Sequence, residues 1–230
     1  SSRSDALPQS IAVSSIGDGY NYVATFTDAY TRRRTPFGLK DKKSSGVVTI
    51  IRRYHAEVVA FKRLRTDWGG EFDSAIVVQA VAELPAVHEC STPHREQQNG
   101  VAERGHGILF PLARALLKAA TCTNKLWFHA YAHAAFTNFL CTSSMDPTMT
   151  SYERWYGVKP DVSNLRAWGC TAYTYVERDD RRKLDDNARV CRFVGYCSKS
   201  PSFIIYDPLT ESISRSRDVV FDESDFTCEP

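Results

Sequence analysis

The sequence predicts an α/β core followed by a small all-β unit, and three observations carry that expectation. Strand-like and helix-like stretches alternate through the first 160 residues. Beyond Pro160 the texture changes to short β-rich runs separated by turn residues. The chain of 230 residues, 43% hydrophobic and 24% charged, is long enough and apolar enough to bury an ordinary core. The expected domains are residues 1–160, a core with its C-terminal helices, and 161–230, a small β-barrel.

The elements follow from local pattern. Residues 22–28 (YVATFTD) alternate and are rich in aromatic and β-branched side chains, which predicts a strand. Residues 34–40 predict a second strand, with Pro36 marking it as an edge. Val47, Ile50, Ile51, Tyr54 and Val58 recur at helical spacing, so residues 43–58 read as a helix. Residues 59–66 predict a strand that ends at Asp67, Trp68-Gly69-Gly70 a turn, 71–84 a helix and 87–90 a short strand. Asn99 is the expected N-cap of a long helix running to Ala120, with Pro111 expected to kink or divide it. Residues 125–140 predict an amphipathic helix whose Trp127, Phe128, Tyr131 and Phe136 face a core, and 151–156 a short one. Five short strands are expected at 167–176, 190–196, 203–206, 212–216 and 219–221, and linkers at Asp146-Pro147 and Lys159-Pro160.

Composition also excludes classes. No apolar run reaches the ~20 residues of a membrane span, and the polar first ten residues lack the apolar core of a secretory signal. Seven irregularly spaced cysteines with no C-x-x-C pair predict neither a disulfide framework nor a zinc knuckle, but free thiols in a reducing compartment. The chain opens without Met, so a fragment of a longer protein is expected. The net charge of +2 names no partner by itself. Its distribution says more. Between Arg32 and Arg65 eleven basic residues face only Asp41 and Glu57, the pattern of a phosphate-facing surface.

Two carboxylates stand out. Asp67 closes a predicted strand, Glu103 lies near the start of a predicted helix, and thirty-five residues separate them. Carboxylates without a Cys or His ligand set favour a hard cation such as Mg²⁺ or Mn²⁺, and two such ions suit in-line attack at phosphorus. A third carboxylate is needed, and the residues offer Asp5 or Asp28. Lys62, Arg63 and Arg65 lead directly to Asp67 and are candidate phosphate contacts.

These motifs are ordered as in one family. Ser4-Asp5 with Pro8, YVATFTDAYTR at 22–32, LRTDWGGEF at 64–72, STPHREQQNGVAER at 91–104 and the Pro147–Pro160 stretch resemble the integrase of copia-type LTR retrotransposons, a member of the retroviral integrase superfamily. Residues 165–175, 183–185, 193–196 and 217–223 resemble the small barrel that follows that core. The resemblance implies an RNase H-like core with a mixed five-stranded sheet, then an SH3-like barrel. It implies that Asp5, Asp67 and Glu103 are catalytic and hold two metal ions, with Asp5 bridging them. Asp28 then becomes a turn residue, kept as the alternative first carboxylate.

The same resemblance implies 3′-end processing and strand transfer of element DNA into host DNA. Gln98, Asn99, Arg104 and His106 join the basic residues as DNA contacts, His106 on the face of Glu103. Element ends and target DNA are the implied partners, in a homo-oligomer with no membrane, acting in the nucleus after a cytoplasmic particle stage. Ala6-Leu7 stands where Cys-Gly is usual, Arg95-Glu96 where Thr-Pro is common, and Gly105 and Gly107 replace side chains that hold DNA in relatives. Those departures keep a second reading, a decayed or repurposed copy that binds nucleic acid or protein without catalysis. A plain nuclease is the third, and the barrel argues against it.

Overall fold

A computed structural model describes residues 3–6, 8–10, 17, 19–66, 72, 74–90, 96–143, 146–176, 187–198 and 200–227. Two compact units emerge. The first comprises Ser1–Ser14, Gly19–Pro111 and Ala134–Pro160; the second comprises Ser15–Asp18, Leu112–His133 and Asp161–Pro230.

In the first unit a mixed sheet is built from β1 (Arg3–Ala6), β2 (Pro8–Ser10), β3 (Tyr22–Asp28), β4 (Arg34–Leu39), β5 (Arg63–Thr66) and β6 (Val87–Cys90). β1 and β2 both pair antiparallel with β3, so they form one interrupted line along its flank. The order across the sheet is β4, β3, β1, β5, β6, with β1, β5 and β6 mutually parallel. Residues 23–28 of β3 are all buried. A strand with no exposed face needs cover on both sides of its sheet.

Helices α1 (Ser44–Glu57) and α2 (Ala75–Ala82) supply one cover. Ala24, Phe26, Phe37 and Leu39 from the strands meet Val47, Ile50, Ile51 and Tyr54 of α1 and Val77, Ala80 and Val81 of α2 in one core cluster. Phe26 stacks on Tyr54 with ring centroids 4.3 Å apart, and Phe37 meets both rings edge-on. Gly38 lets the chain pass under Tyr20: a Cβ there would lie 2.1 Å from the ring.

Helix α3 (Glu96–Ala119) starts earlier than Asn99, which is interior and not the N-cap; Glu96, Gln97 and Gln98 are good helix formers and extend the helix backwards. Pro111 does not end it. Leu109, Ala113, Leu117 and Ala120 keep one buried stripe across the proline, and that burial outweighs a cost of about 3 kcal/mol. A 3₁₀ turn (Asn124–Leu126) leads into α4 (Trp127–Leu140), where Trp127 and Tyr131 are buried as expected but Phe136 is exposed. Asp146-Pro147 is no linker: it begins β8 (Asp146–Thr150), which pairs with β7 (Thr142–Ser143) before α5 (Ser151–Tyr156). The expected strand at 59–66 is formed only from Arg63, and the helix expected over 71–84 only from Ala75. The Trp68-Gly69-Gly70 turn lies outside the described residues.

The second unit carries a five-stranded antiparallel sheet ordered β12 (Ser212–Ser216), β11 (Phe203–Asp207), β10 (Ala188–Tyr196), β9 (Thr171–Tyr175), β13 (Val219–Asp222). Cys170, Ala172, Cys191, Phe193 and Ile205 form its core, and both cysteines are free thiols. Asp207 makes the β11–β12 turn, its Oδ1 accepting from the Leu209 and Thr210 amides. Arg192 is buried and crosses to the carboxyl end of α3. It donates to the Ala120 carbonyl, to the Gly169 carbonyl and, through Nη2 at 2.8 Å, to the Thr227 carbonyl. A cation at the carbonyl end of a helix also opposes the helix dipole favourably. Among the described residues no helix is long and apolar enough to cross a membrane.

Two consequences are measurable. Gly38→Ala forces its new methyl into the Tyr20 ring and lowers stability by about 1–3 kcal/mol in urea denaturation. The His133 imidazole, buried against Phe193 and Tyr196, is pushed down to about 4 by desolvation. Above pH 6.5 it is neutral in both states and costs nothing. As pH falls from 6.5 to 4 the unfolded chain takes a proton that the folded chain refuses, so stability drops by about 3 kcal/mol. His133→Gln removes that part of the acid slope in pH-dependent melts.

Candidate active site

The strand registers draw one row of positions across the first sheet. Glu89 on β6 is the partner of Arg65 on β5, Arg65 of Asp5 on β1, Asp5 of Thr27 on β3, and Thr27 of Arg34 on β4. Residues directly opposite in a sheet share a face. Asp5 therefore occupies the central position of a row lined by charged residues. Asp67 itself lies outside the described residues, but β5 ends at Thr66, whose hydroxyl is hydrogen-bonded to His88 Nε2 at 2.8 Å.

Helix α3 comes close to the β4 end of the row at one position, Gly105 against Arg34. Arg34 donates through Nη1 to Asn138 Oδ1 of α4 at 2.5 Å, and a Cβ at Gly105 would come within 2.8 Å of Arg34 Nε. Gly105 is thus a close-approach glycine between α3 and Arg34 of the sheet; Gly107 faces open space. Glu103 stands two residues before Gly105 and is exposed. His106 is buried, 3% exposed, and stacks on Phe110, so it does not share the open face of Glu103. Three residues turn a helix by about 300°, and the remaining 60° separates a solvent position from a core one. Arg104 is exposed and donates from Nε to the Gly100 carbonyl of its own helix at 2.7 Å. Gln98 and Asn99 sit in the first turns of α3, and their side chains lie outside the described set.

Asp28 belongs to the other set of positions. Its partner on β1 is Ser4, one residue out of step with Asp5, and Ser4 in turn pairs with the core residue Leu64. The Asp28 carboxylate is buried and closes a turn: its Oδ2 accepts from the Thr31 amide at 2.7 Å and the Thr31 hydroxyl at 2.8 Å. The turn role accounts for this residue.

The basic stretch is less open than its sequence implies. Arg33 lies over Trp155 at 4.4 Å and over Phe139 at 5.1 Å. Arg52 pairs with Glu83, and Arg63 and Arg65 pair with Glu89, carboxylates that lie far along the chain. Lys62 is exposed. No cluster of three His, Cys, Asp or Glu side chains that could hold a metal occurs among the described residues, which include neither Asp67 nor the Asp5 side chain.

Over 213 residues, 90% of its length, the chain is 32% identical to the retrovirus-related Pol polyprotein from transposon TNT 1-94 of Nicotiana tabacum. The chain belongs with the integrase region of copia-type retrotransposon Pol polyproteins. It is also 27% and 28% identical to the Pol polyproteins from transposons RE2 and RE1 of Arabidopsis thaliana, each across 91% of the chain. It spans only 14–16% of the length of these polyproteins. Residues 170–230 match the family of retroviral polymerase SH3-like domains, which identifies the five-stranded sheet of the second unit. In fold, the integrase-region chain is similar to a chain in the cryo-electron microscopy structure of a simian T-cell lymphotropic virus intasome in complex with the PP2A regulatory subunit B56 gamma. The TM-score is 0.56 at 13% identity, covering 93% of this chain and 74% of that one.

The Asp28 assignment is testable through stability. Asp28→Ala removes both Thr31 bonds and costs about 1–3 kcal/mol, whereas Asp28→Asn keeps an acceptor and costs under about 1 kcal/mol in chemical denaturation.

Proposed function

We propose that this chain is the catalytic core and SH3-like domain of a retrotransposon integrase, which carries out 3′-end processing and strand transfer of element DNA. The observation that supports the reading is the strand order and register around Asp5. Asp5 holds a central position of the sheet, β5 runs parallel beside it and ends one residue before Asp67, and Glu103 is exposed on α3. The strand order β4, β3, β1, β5, β6, with β3 antiparallel to β1, supports an RNase H-like core.

Three carboxylates are hard oxygen donors with no soft ligand among them, a set that fits Mg²⁺ or Mn²⁺. Asp5, Asp67 and Glu103 are the residues that would hold them. When bound, such ions activate a hydroxyl or water and stabilise the leaving oxygen of a phosphodiester. The protein's own contribution is placement. β1 carries Asp5 beside parallel β5, whose last residue Thr66 precedes Asp67 in sequence, and α3 carries Glu103 at an exposed position. Lys62, Arg63, Arg65, Arg104 and the Gln98–Asn99 turn of the helix would meet the DNA backbone by charge and hydrogen bonding. His106 is left out of that set because it is buried. Element ends and target DNA are the substrates of this reading, a homo-oligomer its working form and the nucleus its place of action.

Strand transfer on a labelled duplex carrying a free 3′-hydroxyl tests it with Mg²⁺ or Mn²⁺ present. Wild-type joining should fall by about 10³-fold or more in Asp5→Asn and in Glu103→Gln, while Asp28→Asn keeps most of it. Wild-type joining no higher than that of Glu103→Gln sinks the catalytic reading in favour of a copy that only binds.

A further inference from the structure

Glu89 has no part in the reaction just proposed, yet it is the residue on which two of the candidate DNA contacts converge. Arg65 Nη2 lies 3.1 Å from Glu89 Oε2, and Arg63 Nη1 lies 3.4 Å from Glu89 Oε1. The sequence accounts for the arrangement. Arg63 and Arg65 are two residues apart on β5 and so point to one face, and Glu89 is the direct register partner of Arg65 on parallel β6. Each guanidinium takes its own carboxylate oxygen. Two cations therefore share one anion, and the group keeps a surplus positive charge.

We infer that Arg63 and Arg65 form a phosphate clamp and that Glu89 occupies it as a built-in competitor, displaced when a DNA backbone phosphate enters. The inference rests on the proposed DNA reaction for its ligand. A phosphodiester offers the same pair of terminal oxygens as a carboxylate, and two guanidiniums recognise either. The clamp opens to solvent on its Arg63 side: that side chain is 47% exposed, while Arg65 and Glu89 are half-buried at 20% and 28%. The exposed Arg63 pair is the weaker of the two and opens first, whereas each new phosphate contact also releases condensed counterions from the DNA. Its place suits the substrate, because Arg65 is the register neighbour of Asp5 and lies two residues before Asp67. Glu89 would then set how tightly, and how salt-dependently, DNA is held beside the acids.

Binding of the full chain to a fluorescent duplex of about 20 base pairs, measured by anisotropy in EDTA across a salt series, tests the clamp without catalysis. Glu89→Gln should bind about 10-fold more tightly at low salt, with the slope of log K against log salt steeper by about 1. Adding Arg63→Ala and Arg65→Ala should cancel the gain. Glu83→Gln, which removes the same charge from the exposed pair with Arg52, should leave affinity near wild type. An equal gain in Glu83→Gln, or a gain that survives loss of both arginines, overturns the clamp. Should Glu89→Gln fail to fold, Arg63→Ala alone carries the test: it should lower affinity and flatten the slope by about 1, and no change refutes the proposal. Wild-type binding with no gain in Glu89→Gln sinks the clamp and leaves the integrase reading standing. No binding by any variant sinks both.

Discussion

A strand buried on both faces governs this molecule. Residues 23–28 of β3 have no side open to water, so every neighbour of β3 must either pair with it or cover it. One face meets the aromatic group of Phe26, Phe37 and Tyr54, where stacked and edge-on rings add to the area they bury. The strand's period of two then assigns its last residues. Thr27 falls in the row with Asp5, and Asp28 falls in the row with Leu64. A slip of one residue would exchange the two rows, and core burial of Phe26 and Ala24 is what forbids it. Packing thus decides which aspartate stands at the centre of the charged row.

Much of this was legible in the residues. The alternation of YVATFTD, the helical spacing from Val47 to Tyr54 and the strand texture at 212–216 match β3, α1 and β12 closely. The ends of elements were less so. Ser74 and the residues before it read as helix because Phe72 fits an apolar stripe, but Phe72 is buried in the core from a turn. Asn99 looked like a cap because Asn-Gly is a turn signal, and the helix-forming residues before it override that signal. The three-residue spacing that puts His106 beside Glu103 cannot show that the helix buries it against Phe110.

Charge was the least legible quantity. A run of eleven cations in sequence suggests an open basic surface, but a linear count cannot see carboxylates that arrive through space. Glu83 and Glu89 are such residues, delivered by α2's end and by β6. Arg33 and Arg34 are withdrawn in another way, one onto Trp155 and Phe139 and one onto Asn138. Trp155 lies in the Pro147–Pro160 stretch, and its contact with Arg33 ties that stretch to the turn between β3 and β4.

Arg192 gives the second unit an ownership that the gene order does not show. Its guanidinium holds the carbonyl end of α3, some seventy residues upstream, and the left-handed turn at Gly169 fits against Ala120 in the same place, where a Cβ would come within 2.2 Å. The packed second unit is therefore discontinuous in sequence. A recombination event that exchanged only the residues after Pro160 would bring in a barrel shaped for a different helix end. Exchange between lineages should succeed where the segment around 112–133 travels with the barrel, and the two stretches should diverge together.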